Sequence, residues 1–304
     1  MNTLTHTNTE LLTPGLFKNY IEYIDATPKT VETYSKALRQ FYNYTEANEI
    51  KQPTRQDIIN FREYLEQNHK ASTVNTYIIA IRQFFKWTEQ NGIYSNIADH
   101  VKGKKISREP KKDYLTPVQI KTILKSIDRT TINGKRDYAL ITLMVTCGLR
   151  DIEVNRANIE DIRTQGVNTV LFLQGKGRDD KNEYVIIPEQ VEIALRDYLK
   201  ERNATDTQPL FTSISNHANN ERLTTRSISR IVKNTFVSCG YDSNRLTAHS
   251  LRHTAVTLAL QSGNSLQEVQ QFARHTNINT TMIYAHNLEK QSNKCSNSIA
   301  TELF

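Results

Sequence analysis

Arg150, Lys176, His249, Arg252, His275 and Tyr284 suit one chemistry when taken together. They fall in four short stretches: CGLRDIEV at 147–154, QGKGRDD at 174–180, TAHSLRHTA at 247–255 and HTNINTTMIYAH at 275–286. Arginine is planar, permanently charged and shaped for bidentate contact with phosphate oxygens. A tyrosine hydroxyl, with a pKa near ~10, is a poor nucleophile unaided. Set against a phosphorus held by cations, it is favoured to lose its proton as it attacks. The two arginines, one lysine, two histidines and one tyrosine therefore make sense as a site for nucleophilic displacement at a phosphodiester. Tyr284 follows Thr280, Thr281, Met282 and Ile283. Such a polar run suits either a ring packed on a partner helix or a hydroxyl with a task.

Each stretch is ordinary when read singly. GKG is a common hairpin turn, glycines flanking a lysine, and Arg150 alone reads as a surface arginine. His249 and His253 stand at i and i+4, the spacing of a metal pair. No glutamate occupies the zincin position between them and no acidic cluster accompanies them. His253 reads as a packed helix histidine. Glu153 lies three residues beyond Arg150, close to one helical turn, and reads equally as an ordinary helix glutamate or as a residue that orients the site.

These stretches need a scaffold to bring them together. The 304 residues are enough for about two domains. No run approaches the roughly 18 apolar residues of a membrane span, and the N-terminus has no basic start followed by an apolar core, so no secretory signal is expected. Cys147, Cys239 and Cys295 are odd in number without CxxC spacing, which fits a reducing cytoplasm and argues against a disulfide framework or a cysteine zinc site. The net charge of +7, with a pI of about 9.2, is compatible with a phosphate-backbone partner but is common among other proteins.

The basic excess is uneven. VKGKKISREPKK at 101–112 holds six basic residues and one acid and reads as an exposed linker, with Lys104 and Lys105 candidates for touching phosphates. Before it lies an internal echo. TVETYSKALRQFYNYTEANEI from Thr30 and TVNTYIIAIRQFFKWTEQNGI from Thr73 are identical at 12 of 21 positions. Val31, Tyr34, Leu38 and Phe41 form a helical stripe, which Val74, Tyr77, Ile81 and Phe84 repeat. Each copy follows a shorter helical pattern, at 16–24 and 57–65. Two helix pairs predict a four-helix bundle. Lys36 and Arg39 on the first long helix, and Arg82 and Lys86 on the second, suit either a solvated face or phosphate contact. Beyond the linker, Thr116 and Pro117 open a helix, and KRDYALITLMVTCGLR continues as a buried helix stopping at Gly148. Residues 167–173 and 184–187, rich in β-branched and aromatic side chains, flank the GKG turn as a β-hairpin. From Val191 the pattern is again mainly helical. The expected fold class is mainly α: a tail at 1–12, a helical bundle at 13–100, the linker at 101–112, and a helical domain with a small antiparallel sheet at 113–304.

The four stretches resemble the signature of the tyrosine recombinases, the phage integrase family that includes the Xer proteins. CGLRDIEV resembles the first arginine box, T/C-G-L-R-x-x-E. HSLRH resembles the H-x-L-R-H box, and RHTNINTTMIYAH resembles the G-H…T-x-x-Y-x-H box. Lys176 falls where the family has its hairpin lysine. The resemblance covers roughly residues 13–290. One departure is Arg274, which stands where the family usually has glycine; it implies either an altered approach of the helix to the phosphate or an added phosphate contact.

The resemblance implies that Tyr284 attacks a DNA phosphodiester to form a 3′-phosphotyrosyl link and free a 5′-hydroxyl. It implies that Arg150 and Arg252 clamp the non-bridging oxygens, that His275 donates a hydrogen bond, and that Lys176 protonates the leaving 5′ oxygen. His249 would help to shuttle the tyrosine proton and Glu153 would orient a site residue. No metal, ATP or other cofactor is expected. The implied partners are double-stranded DNA with short inverted-repeat core sites, three further copies of the chain in a homotetramer on synapsed DNA, and a directionality factor or second recombinase. No membrane partner is implied. The bundle beginning near residue 13 favours a compact two-domain enzyme without an arm-binding domain. The tail, polar until Ile299 and ending Leu303–Phe304, suits docking into a neighbouring copy, or packing on its own domain. The rival readings are a type IB topoisomerase-like relaxing enzyme, a DNA-binding regulator with a degenerate site, and a metal hydrolase built from the histidines. The H-x-L-R-H box with the GKG hairpin disfavours the first, the full set of six side chains the second, and the missing acidic cluster the third.

Overall fold

The computed structural model describes residues 13–105, 113–175, 180–214, 220–292 and 295–303. It divides into two compact units, residues 1–108 and 109–304. In the first, α1 (Pro14–Tyr23), α2 (Pro28–Ala47), α3 (Arg55–Asn68) and α4 (Ala71–Gln90) form the bundle. Their starts are written in the sequence. Thr13, Thr27 and Thr54 each accept a backbone N–H at the first turn, and Pro14 and Pro28 sit where no N–H is needed. Leu38, Phe41, Val74, Ile81 and Phe84 of the two echoed stripes are buried, with Phe17, Tyr20, Phe61 and Trp87 packed among them.

The start of the basic run, expected as a linker over 101–112, lies against the bundle expected over 13–100. Val101 is buried in the bundle core. Arg62 donates to the Lys102 carbonyl at 3.0 Å, and Asn75 exchanges hydrogen bonds with the Lys104 backbone at 2.9 and 2.6 Å. Lys104 also pairs with Glu66 at 3.0 Å. The apolar Val101 and the two polar anchors on α3 and α4 hold this part of the basic run against the bundle. The rest of the run, 106–112, lies outside the described residues, as does the 1–12 tail.

The second unit is built around α6 (Ile132–Cys147), which is buried on nearly all sides. Preceding it is α5 (Pro117–Ser126), capped by Thr116 with Pro117 first. After α7 (Asp151–Arg156) and a 3-10 turn at Ile159–Asp161 comes a three-stranded antiparallel sheet: β1 (Ile162–Gln165), β2 (Asn168–Leu173) and β3 (Glu183–Ile186). Ile162 pairs with Leu171, and Leu171 with Val185, so one face of the sheet joins the core. The hairpin of β2 and β3 follows the sequence pattern, whereas β1 does not. Its IRTQ side chains are exposed but for the half-buried Ile162, so no alternation announces it. Val167, expected in a strand, sits fully exposed in the turn between β1 and β2. The chain closes with α8 (Glu189–Arg202), α9 (Thr225–Ser238), α10 (Ala248–Gln261), α11 (Leu266–Ala273), α12 (Ile278–Ser292) and α13 (Cys295–Leu303). Among the described residues, no helix is long and apolar enough to cross a membrane.

Candidate active site

Two helix ends deliver the first parts of the site. α6 stops at Gly148, which is left-handed at φ 60°. A Cβ there would lie 3.0 Å from the Phe272 ring, so both conformation and space call for glycine. The reversal releases Leu149 into the core and sets Arg150 at the N-terminus of α7. α11 begins with a reciprocal Ser265–Glu268 capping box and stops in the same manner. The His275 N–H returns to Gln270 O at 3.1 Å and the Arg274 N–H to Gln271 O at 2.9 Å, with Arg274 itself left-handed at φ 53°. That is the position where helices usually place glycine, which accounts for the glycine of the resembling box. His275 follows directly.

Arg252, on α10, joins the two ends. It is 1% exposed. Its Nη1 donates to Gly148 O at 2.6 Å and its Nη2 to Ala273 O. Ala273 O is the last carbonyl of α11 and Gly148 O belongs to the residue that caps α6, and a cation is favoured at such helix C-terminal ends. Burial, and then the nearby Arg150 and Arg274, push its pKa down to about 9, which leaves it cationic at neutral pH.

Glu153 is the carboxylate of the site, its side chain wholly buried. It accepts the Arg150 N–H at 2.8 Å and Arg150 Nη1 at 2.7 Å. Arg274 Nη2 approaches it from another side at 2.9 Å. Burial raises the carboxyl, but Arg274 and Arg150 outweigh it, and the pKa falls below the usual range. Arg150 keeps a quarter of its side chain open and also donates to the Arg274 carbonyl at 3.3 Å.

Tyr284 lies on α12 with its ring against the small apolar cluster of Val256, Val269 and Ala273. Its ring centre is 6.2 Å from that of His275, nearly parallel, and 5.0 Å from that of His253. His249 stands one ring further out, 4.8 Å from His253, and is exposed. The ring of α10 that meets the tyrosine is thus His253. Burial raises the Tyr284 pKa while Arg252 and Arg150 pull it back, leaving it above its ordinary value. His275 is pushed down to about 4 by burial and by Arg252, Arg150 and Arg274, so its imidazole is neutral at pH 7. Its Nδ1 lies 2.9 Å from the hydroxyl of the buried Thr281. Sequence reading gives Thr281 no role; the T-x-x-Y spacing, which puts it one turn before Tyr284, was the available signal.

A cleft of about 700 Å³ opens beside this group, lined by Arg150, Arg274, His275, Gln270, Tyr184 and Gly175 among others. Lys176 lies outside the described residues. Its neighbour Gly175 is held through its carbonyl by Arg156 at 2.9 Å, and Lys181 pairs with the buried Asp161 at 2.6 Å. Among the described residues, no group of three or more His, Cys, Asp or Glu side chains is placed to hold a metal ion. In the first unit, Arg39, Arg82, Lys86 and Lys105 are exposed, while Lys36 and Lys104 pair with Glu32 and Glu66.

The Phage integrase family profile matches residues 113–291, and the profile described as Phage integrase, N-terminal SAM-like domain matches residues 16–94. The tyrosine recombinase XerC of Caldanaerobacter subterraneus subsp. tengcongensis is 31% identical over 201 residues, 61% of this chain and 54% of that protein. The TnP I resolvase of Bacillus thuringiensis is 27% identical over 282 residues, 89% of this chain and 93% of that protein. The chain thus spans little more than half of the first relative's length and nearly all of the second's. Among solved structures, XerH site-specific recombinase bound to palindromic difH substrate, in a post-cleavage complex, shares the fold with a TM-score of 0.73 at 22% identity, over 95% of this chain and 91% of that one.

Proposed function

The chain belongs to the phage integrase family; from that premise we propose that it is a DNA strand-transferring enzyme of the tyrosine recombinase type, with Tyr284 the nucleophile of site-specific recombination at short inverted-repeat core sites. The observation that carries this reading is the meeting of Arg150, Arg252 and His275, from three separated stretches, beside the Tyr284 ring. The Tyr284 hydroxyl oxygen attacks phosphorus as the bond to the 5′ oxygen breaks. The product is a 3′-phosphotyrosyl link and a 5′-hydroxyl. Arg150 and Arg252 hold the non-bridging oxygens and offset the charge that develops on them. With the Thr281 hydroxyl donating to Nδ1, neutral His275 carries its proton on Nε2 and donates from there. The phenol is not ionised beforehand, so its proton must leave during attack; His249, one ring beyond the His253 that meets Tyr284, helps to shuttle it away, and Lys176 protonates the departing oxygen. The covalent link stores the energy of the broken bond, so rejoining needs no ATP.

Arg39, Arg82, Lys86 and Lys105 supply phosphate contacts from the first unit. Lys36 and Lys104 add theirs after releasing their ion pairs with Glu32 and Glu66, which solvent weakens. The working form is a homotetramer on two duplexes, with a directionality factor or second recombinase where the biology requires one.

Covalent trapping tests the reading. The protein is incubated with nicked suicide duplexes carrying the inverted repeats that flank its own gene and is then run under denaturing conditions. A protein–DNA adduct is expected, and none with Tyr284→Phe. An adduct that survives in Tyr284→Phe places the nucleophile elsewhere. Specific binding without any adduct favours the regulator reading.

A further inference from the structure

Arg274 has no place in the six-residue set, yet its geometry is costly and specific. A non-glycine residue in the left-handed region carries about 1 kcal/mol of backbone strain, which persists only when the surroundings impose it. Here the surroundings are the site itself. The side chain, 6% exposed, turns inward. Its Nη2 donates to Gly148 O at 3.0 Å and to Glu153 Oε2 at 2.9 Å, and its Nη1 donates to Phe272 O at 2.8 Å. Gly148 O is the same carbonyl that receives Arg252 at 2.6 Å. The Arg274 carbonyl in turn receives Arg150 at 3.3 Å. One residue therefore touches, by backbone or side chain, the partners of both phosphate-directed arginines. Its guanidinium is engaged with the protein and is not a phosphate clamp.

Charge gives this arrangement its meaning. Around the reacting position stand Arg150, Arg252 and Arg274 against Glu153, with His275 neutral and Tyr284 protonated. Without Arg274, the buried Glu153 would be matched by Arg150 alone. The charge of the first phosphate clamp would then be spent on a carboxylate, in a low-dielectric site where such pairs interact strongly. We propose that Arg274 is a positioning residue that shares Glu153 with Arg150 as a second counter-ion, so that the cluster of Arg150, Arg252, Arg274 and Glu153 faces the phosphate with one more net positive charge than it would with glycine at this place. The inference rests on the recombinase reading above, and it assigns to this chain a charge balance that a glycine at the same place cannot provide.

The test compares wild type, Arg274→Gly, Arg274→Lys and the double variant Arg274→Gly/Glu153→Gln on the suicide duplexes. Each duplex is made with a natural or a methylphosphonate group at the cut position mapped with wild type; the methylphosphonate is neutral and needs less positive charge. Single-turnover adduct rate, DNA affinity and melting temperature are read for each. Arg274→Gly should slow adduct formation on the order of 10- to 100-fold, less than the loss of a direct oxyanion donor, with DNA affinity unchanged. Arg274→Lys should lose less. Adding Glu153→Gln, which removes the charge that Arg274 balances, should recover most of the rate, and the methylphosphonate should shrink the Arg274→Gly deficit. An Arg274→Gly enzyme as fast as wild type overturns the proposal. So does a deficit that neither Glu153→Gln nor the neutral phosphate relieves, which would mark Arg274 as a structural helix cap. Should Arg274→Gly not fold, the double variant is compared with Glu153→Gln alone: rates within a few-fold of each other support the proposal, and a further loss of tenfold or more in the double variant refutes it. If wild type itself gives no adduct, it is the recombinase reading that fails.

Discussion

His275 ties stability to pH at the scale of one side chain. In the folded protein, burial and the three surrounding arginines hold its pKa at about 4, against 6.5 when unconstrained. The unfolded chain therefore binds the proton first as pH falls. The stability that His275 contributes is complete above pH 6.5 and is lost progressively as pH drops toward 4. The shift sets an upper bound of roughly 3 kcal/mol, at about 1.4 kcal/mol per unit. Urea unfolding of the DNA-free protein at intervals between pH 7.5 and 4 should show this decline in wild type and a shallower one in His275→Gln. Parallel pH profiles for the two proteins would mean that the imidazole is not held neutral. In the reaction proposed above, His275 would donate as a neutral imidazole oriented by Thr281, with no protonation step of its own.

The helix ends are the elements that make the site, and Gly148 is the clearest case. Alanine there meets a left-handed backbone, costing roughly 1 kcal/mol, and a Cβ 3.0 Å from Phe272. It also displaces the carbonyl that Arg252 and Arg274 share. Gly148→Ala should lower stability by about 1–3 kcal/mol and reduce adduct formation further than that loss explains, as seen by comparing melting curves with adduct rates under conditions where the variant is fully folded. Unchanged cleavage in a destabilised Gly148→Ala would show that the carbonyl does not position Arg252. This level of organisation also marks what could be read beforehand. The start at Thr116 and Pro117, the stripes of α2 and α4 and the stop at Gly148 were legible because each is a local rule; the same cap rule holds at Thr13, Thr27 and Thr54, which sequence reading passes over. β1 was not, since its polar IRTQ carries no alternation and is a strand only because β2 lies beside it. Arg150, Arg252, His275 and Tyr284 were legible as a set through the spacing of their boxes. The inward turn of Arg274, the exposed rank of His249 behind His253, and the use of Gly148 and Ala273 carbonyls to hold Arg252 were not. Backbone acceptors leave no mark in residue types, and which way a long cation points is settled by the buried carboxylate it finds.

At the scale of the whole molecule, α13 is the part that a single copy does not explain. None of its described residues is buried, and Ile299 and Leu303 are 59% and 68% exposed. A helix of nine residues is marginal in water by itself, so an apolar edge left exposed among the described residues argues for cover from elsewhere. A neighbouring copy on DNA is the occupant that the proposed tetramer supplies. It would link the placement of Tyr284, on the preceding α12, to the presence of that neighbour. Ile299→Asp/Leu303→Asp should leave the melting temperature and the binding of a single half-site unchanged, because neither side chain is buried within the chain. It should weaken cooperative occupation of paired half-sites and slow strand exchange between duplexes by tenfold or more, with gel-shift titrations and a two-duplex exchange assay as the measurements. Retained cooperativity and exchange in this variant would remove α13 from the assembly. A fall in melting temperature would instead show that the helix packs on its own domain in solution.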